Sequence, residues 1–269
     1  MKHVIIGNGP AGVIAAETLR RADPKADITL LGDEPEPPYS RMAIPYFLMG
    51  SIGEDGTHLR KEKGHFDTLG IKLLKGRAGG IDAKARKVKL ADGKSLDFDR
   101  LLIATGSHPL KPPIAGIDVP NVHTCWTLED ARAIVKLAQS GSRVLQIGAG
   151  FIGCIIMEAL AARGTQLSVV EMGDRMVPRM MTEKAGGMIR QWCEKQGVKV
   201  HTGVKVESLR AGSKAGELIA KLSNGEEVAA DLVICAAGVA PNIDFLKGSG
   251  IATERGILVD HVVQGSQAD

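Results

Sequence analysis

Two stretches of the chain follow one pattern: VIIGNGPAG at residues 4–12 and VLQIGAGFIG at residues 144–153. Each is a short apolar run, a turn spaced G-x-G-x-x-G, and an alanine-rich helical continuation. In such a turn the first glycine permits a sharp strand-to-helix bend and the second lets the backbone approach a pyrophosphate. The third allows close helix packing, and the helix N-terminus presents free N–H groups to the phosphates. One copy alone is a weak signal, because small-residue turns also occur where nothing binds. Two copies in matched strand–turn–helix settings predict two dinucleotide sites, at Gly7, Gly9, Pro10, Ala11 and Gly12, and at Gly148, Gly150, Phe151, Ile152 and Gly153.

A second repeat supports the first. ADGKSLDFDRLLIATG at 91–106 aligns without a gap against SNGEEVAADLVICAAG at 223–238. Both hold an Asp-Gly or Asn-Gly hairpin turn, a short strand, an Asp, and an apolar strand ending in a small-residue turn. The economical fold is α/β: two Rossmann-like dinucleotide-binding domains of the three-layer β/β/α type, the second inserted into the first. The Pro- and Gly-rich stretch 106–121 reads as a connector, and GVAPN at 238–242 as the return. The expected boundaries are 1–112 with 240–269 for the first domain and 113–239 for the second.

The acidic residue after each turn separates the copies. LSVVE ends in Glu171, where a carboxylate can take both ribose hydroxyls of NAD and would repel a 2′-phosphate. This favours NADH over NADPH, although Arg175 nearby leaves the alternative open. In the first copy ITLLGDE places Asp33 and Glu34 just beyond the strand, suited to an adenosine ribose, or else two solvated loop acids.

Composition excludes several other classes. The 34 basic and 31 acidic residues are scattered, and aromatics make up 3% of the chain, so neither a basic face nor stacking platforms for nucleic acid are indicated. The apolar stretches are too interrupted to span a bilayer, and no leader-like segment precedes the first strand, so a cytoplasmic protein is expected. The four cysteines lie far apart, and neither they nor the seven histidines show metal-ligand spacing, so no metal is expected.

The paired turns, LLIATG at 101–106, GVAPN at 238–242 and GDEPEPPYSRMAIPYFL at 32–48 together resemble the FAD-dependent pyridine nucleotide-disulfide oxidoreductase superfamily from end to end. The likeness is to its NADH-dependent ferredoxin and rubredoxin reductase branch and to the flavin part of assimilatory nitrite reductases. It implies that the first turn holds FAD and the second NAD(H). It further implies that Arg41 meets the flavin side of the cofactor, that Ala78 offers backbone contacts to the adenine, that Thr105 and Gly106 line the FAD pyrophosphate, and that Gly238 belongs to the NAD site. The chemistry would be the flavin's, the protein supplying position and electrostatics. No residue is singled out as catalytic.

The sequence departs from that family in three places. PPYSRMAIPYFLMG has no Cys where disulfide reductases carry a pair and NADH oxidases and peroxidases one. Tyr46 and Ile155 replace a Lys and a Glu common in the reductase branch, a paired loss that leaves no unmatched buried ion. The AAGD-like strand and the C-terminal interface domain of relatives, which often mediates dimerisation, have no counterpart before Asp269. A fragment of a longer protein is therefore expected, the alternative being a short form that binds FAD weakly or borrows a strand. The function classes left open are a flavoprotein passing electrons from NADH to a redox protein or linked redox centre, an NAD-binding module without turnover, and an NADH oxidase using O₂.

Overall fold

The structure is a computed structural model that describes residues 1–266. From the N-terminus, β1 (Lys2–Ile6), α1 (Pro10–Ala22) and β2 (Asp27–Gly32) form the first βαβ half-turn. Short helices α2 (Ile44–Met49) and α3 (His65–Thr68) follow, then β3 (Ile71–Lys75). A meander of β4 (Ala78–Asp82), β5 (Lys87–Leu90) and β6 (Ser95–Asp97) leads into β7 (Arg100–Ile103). After β8 (Ser107–Pro109) and β9 (Val122–His123) come α4 (Leu128–Leu137), β10 (Arg143–Ile147), α5 (Phe151–Ala162) and β11 (Gln166–Glu171). The chain continues through α6 (Glu183–Lys195), β12 (Lys199–Thr202) and a second meander, β13 (Val206–Ala211), β14 (Leu218–Leu222) and β15 (Glu227–Ala230). β16 (Leu232–Cys235) and β17 (Val239–Pro241) complete the strands described.

The chain divides into two compact units: residues 1–40, 58–108 and 240–269, and residues 41–57 with 109–239. Residues 267–269, which the sequence reading placed in the first domain, lie outside the described residues. In the first unit the parallel sheet runs β3-β2-β1-β7, with a separate antiparallel sheet β4-β5-β6. In the second it runs β12-β11-β10-β16-β9, with an antiparallel sheet β13-β14-β15. The α/β, doubly repeated architecture read from the glycine turns is the one observed.

Strand alternation explains the layers. Successive side chains of a strand face opposite sides, so a strand covered on both faces must be apolar throughout. In β1, Val4 and Ile6 pack with Ile81, Val88 and Leu90 of the meander, whereas Ile5 packs with Val13 and Ala16 of α1. In the second unit Leu145, Ile147, Val170 and Val233 pack on Leu209, Leu218, Ala220 and Leu222. Truncating one of these fully buried leucines to alanine would cost about 2–5 kcal/mol.

The repeat extends to single hydrogen bonds. The carboxylate of Asp99 accepts from the backbone N–H of Lys2 at 2.6 Å, and that of Asp231, its aligned partner, from Arg143 N–H at 2.9 Å. Both aspartates pin the first residue of a central strand from the position just before the strand beside it. Gly93 and Gly225 turn the hairpins with φ of 87° and 88°, backbone that side-chain-bearing residues rarely adopt.

Residues 41–57 depart from the expected boundaries by grouping with the second unit, not the first. Ile44 and Leu48 of α2 are buried, and the guanidinium of Arg163, at the end of α5, donates to the carbonyl of Leu48 at 2.8 Å. Arg132 of α4 donates to both carboxylate oxygens of Glu54, at 2.8 and 2.6 Å. Sequence continuity could not show this, because the segment's apolar partners lie far along the chain.

Candidate functional site

The two glycine turns have matching geometry. Gly7 and Gly148 have φ of 111° and 97°, and a Cβ on either would collide with the carbonyl of Ala104 or Ala236 respectively. Gly12 and Gly153 lie against the carbonyls of Gly7 and Gly148, which a Cβ would strike. These glycines are required by the fold itself. The middle ones are not: Gly9 and Gly150 share φ −73° and ψ −175°, extended backbone open to any residue, and a Cβ on either would meet nothing within 4 Å. Both are N-caps without a side-chain hydrogen bond, so the first N–H groups of α1 and α5 are left uncovered by any capping side chain. The open space over each middle glycine is a cradle that a Cβ would fill, and it fits a pyrophosphate at a helix N-terminus.

In the second unit the cradle opens into a cavity of about 970 Å³. Gly148, Gly150, Phe151, Ile152, Gly153, Glu171 and Gly238 all line it, so the structure brings the residues named from sequence around one space. Glu171 closes the β11 side. Its Oε2 accepts from Ala149 N–H and its Oε1 from Gly173 N–H, each at 2.7 Å, and each oxygen keeps a lone pair for a further donor. The carboxylate is thereby held beside the turn. Arg175, which left NADPH open, pairs with Asp174 at 2.9 Å and does not line the cavity.

The remaining lining includes residues that sequence reading passed over. Pro112, Pro113 and Ile114 come from the stretch read as a connector, Trp126 and Val177 from segments without a motif, and Cys235 from the apolar strand of the second repeat, where it was not singled out. No local signal marks them, because their role depends on which surface the fold turns inward.

In the first unit Asp33 is exposed just past β2, and Glu34 Oε2 accepts from the Tyr39 hydroxyl at 2.5 Å. Ala78 is buried at the start of β4. Thr105 Oγ1 donates to the carbonyl of Asn242 at 2.8 Å, and Asn242 Nδ2 donates to the Thr105 carbonyl at 2.8 Å. The Asn242 N–H donates to the Gly106 carbonyl at 3.0 Å, so GVAPN clamps the turn that follows β7. Arg41 lies in the second unit, with its guanidinium 5.3 Å from the ring centroid of Trp126, a cation–π arrangement on a cavity-lining residue. That placement differs from the first-domain position expected for it.

None of the four free cysteines is activated. Burial pushes the Cys125 thiol up to about 12 and Cys154 up to about 11, and raises Cys193 and Cys235 as well. Tyr46 is exposed and Ile155 partly buried, so neither carries a buried charge. Among the described residues no cluster of His, Cys, Asp and Glu could hold a metal ion, and no helix is long and apolar enough to cross a membrane.

Comparison with known proteins agrees with this fold. The chain is 33% identical over 267 residues to rhodocoxin reductase from Rhodococcus erythropolis, covering 98% of this chain and 62% of that one. It superimposes on the NAD-dependent persulfide reductase from A. fulgidus with a TM-score of 0.93 and 32% identity, over 100% of this chain and 52% of that one. Against the reductase of the covalent putidaredoxin reductase–putidaredoxin complex the TM-score is 0.93 at 26% identity, over 99% and 65% of the two chains. The chain thus spans 62% of the length of the curated relatives it matches first. The family profile described as pyridine nucleotide-disulphide oxidoreductase matches residues 1–269, and with the doubled glycine turns this places the chain in that family.

Proposed function

We propose that this chain forms the two dinucleotide-binding units of an FAD-dependent NADH oxidoreductase whose electrons leave to a small redox protein or linked redox centre. The observation that carries the reading is the cavity of about 970 Å³ that gathers the second glycine turn, Glu171 and Gly238 into one site. There the N-terminus of α5 would hold the pyrophosphate of NADH, Glu171 would take the ribose hydroxyls, and Pro112, Ile114, Trp126 and Cys235 would exclude water from the rest. In the first unit the N-terminus of α1 would hold the FAD pyrophosphate, with Asp33 and Glu34 toward the adenosine ribose and Ala78, Thr105 and Gly106 along the cofactor. Gly238 completes the contacts to NAD. When bound, FAD supplies the means of taking a hydride and releasing electrons.

Two observations support a protein or redox-centre acceptor over thiol chemistry. Residues 37–50 hold no Cys, and every thiol in the chain is raised above its ordinary range. The related reductases named for rhodocoxin and seen with putidaredoxin point the same way. The test is anaerobic: protein reconstituted with FAD should be yellow, be bleached by NADH, and regain colour on adding a one-electron acceptor protein. Colourless protein that still binds NADH would instead establish a nucleotide-binding module without turnover, and rapid recolouring by O₂ alone an oxidase.

A further inference from the structure

Gln146 stands in the middle of β10 with 0% of its surface exposed, between Leu145 and Ile147, which pack on the meander. Alternation turns it to the opposite face, toward α5. At the matched position of the first unit is Ile5, buried with Val13 and Ala16 of α1. A polar amide has therefore replaced an apolar side chain beneath one glycine turn and not the other.

The amide bridges the turn. Nε2 donates to the carbonyl of Gly148 at 2.8 Å and to that of Gly153 at 3.0 Å. Because both partners are carbonyls, the reversed orientation would set oxygen against oxygen, so the donor assignment is forced. Oε1 has no hydrogen-bond partner among the described residues. A buried acceptor without a partner costs stability, so an apolar residue such as Ile5 would serve the core better. The bonds gained lie wholly within the turn that faces the cavity.

The two turns differ accordingly. In the first, a Cβ on Gly12 would overlap the Gly7 carbonyl and reach Leu30 Cδ1 at 3.3 Å, so the turn closes directly on the helix. In the second, a Cβ on Gly153 would lie 2.7 Å from the Gly148 carbonyl and 2.9 Å from Gln146 Nε2, so the amide sits in the gap.

We propose that Gln146 is a positioning residue for the pyrophosphate of the pyridine nucleotide. By tying the strand end at Gly148 to the first turn of α5 at Gly153, it fixes the direction of the N–H groups of Gly150, Phe151 and Ile152 before ligand arrives. Donors fixed in advance are not ordered at the expense of binding. This rests on the reading of the second turn as the NADH site.

The test compares wild-type protein with Gln146→Met, which keeps the shape and loses the donor, and Gln146→Ile, which copies Ile5. Calorimetric titration with NADH, ADP-ribose and AMP is paired with the unfolding midpoint of the unliganded protein. NADH and ADP-ribose should each bind about five- to tenfold more weakly to both variants, the loss expected for hydrogen bonds acting through the turn. AMP, which lacks the pyrophosphate, should change little, and the midpoints should be unchanged or higher. Wild-type protein that binds neither NADH nor ADP-ribose would overturn the site reading along with this role. Normal wild-type binding with undiminished binding by both variants would overturn the role alone. Weakened binding with a lowered midpoint in both variants, or an equal loss for AMP, would also overturn it, by showing a merely structural amide.

Discussion

Thr105 and Asn242 exchange side-chain hydrogen bonds across 137 residues of sequence, each at 2.8 Å to the other's backbone carbonyl. His108 Nδ1 adds a third bond, 2.6 Å from Asn242 Oδ1. Asn242→Ala removes the amide that serves Thr105 and His108 together and should destabilise the protein by about 1–2 kcal/mol. Thr105→Val, which leaves the Asn242 amide in place, should cost less, and urea unfolding of the two variants ranks them.

The glycines of the second turn should separate by role. Gly148→Ala forces a side chain onto φ 97° and into the Ala236 carbonyl, so it should lower stability by at least about 1–2 kcal/mol. Gly150→Ala meets no atom, and its cost should stay within about 1 kcal/mol, the difference between glycine and alanine at an N-cap. Yet Gly150→Ala should weaken NADH binding at least about tenfold by occupying the pyrophosphate cradle. Thermal unfolding and NADH titration on both proteins check the crossing of effects.

Glu171→Ala removes the carboxylate that Ala149 and Gly173 hold in place. NADH affinity should fall about tenfold, while the disadvantage of NADPH shrinks because no anion remains to repel a 2′-phosphate. Competition titration with the two nucleotides measures the ratio directly.

Acid stability should depend on Glu17. Arg60 donates to it through Nε at 2.7 Å and Nη2 at 2.6 Å, and His65 lies 2.9 Å away. The hydrogen bond from Arg60 is the main cause that lowers its pKa below the ordinary 4.5, partial burial working against it. A carboxylate lowered in the folded state contributes stability that is complete above its unfolded value. That contribution is lost as pH falls below 4.5 through the folded value. Glu17→Gln should cost about 1–2 kcal/mol at neutral pH and flatten stability against pH below about 4.5, as urea unfolding at several pH values would show.

Thiol chemistry should be dispensable. With Cys125 raised to about 12 and Cys154 to about 11, almost no thiolate exists near neutral pH. Iodoacetamide at pH 7.5 should label the folded protein slowly, and Cys193→Ala, at a thiol that does not line the cavity, should leave NADH-dependent flavin reduction within about twofold of wild type.

Much of the fold was legible because it rests on local rules. Gly7 and Gly148 announce a positive φ, the hairpins at Gly93 and Gly225 announce meanders, and apolar runs such as Val4–Ile6 announce strands covered on both faces. The aligned Asp99 and Asp231 were visible as a repeat, but their bonds to Lys2 and Arg143 were not, since those partners are remote in sequence. The affiliation of residues 41–57 was hidden for the same reason. An amphipathic segment such as Ile44–Met49 shows that it must be buried without showing against what.

By itself, then, the sequence determined two dinucleotide-type turns, the acidic residue after each, and the α/β repeat, because turn conformation and strand alternation depend on neighbouring residues alone. Only the tertiary structure decided that Pro112, Trp126 and Cys235 share a cavity with Glu171, that Asn242 clamps Thr105, and that Gln146 reaches the carbonyls of Gly148 and Gly153. The first two bring together groups distant in the chain, and the third depends on which face of β10 the packing of Leu145 and Ile147 turns toward the meander.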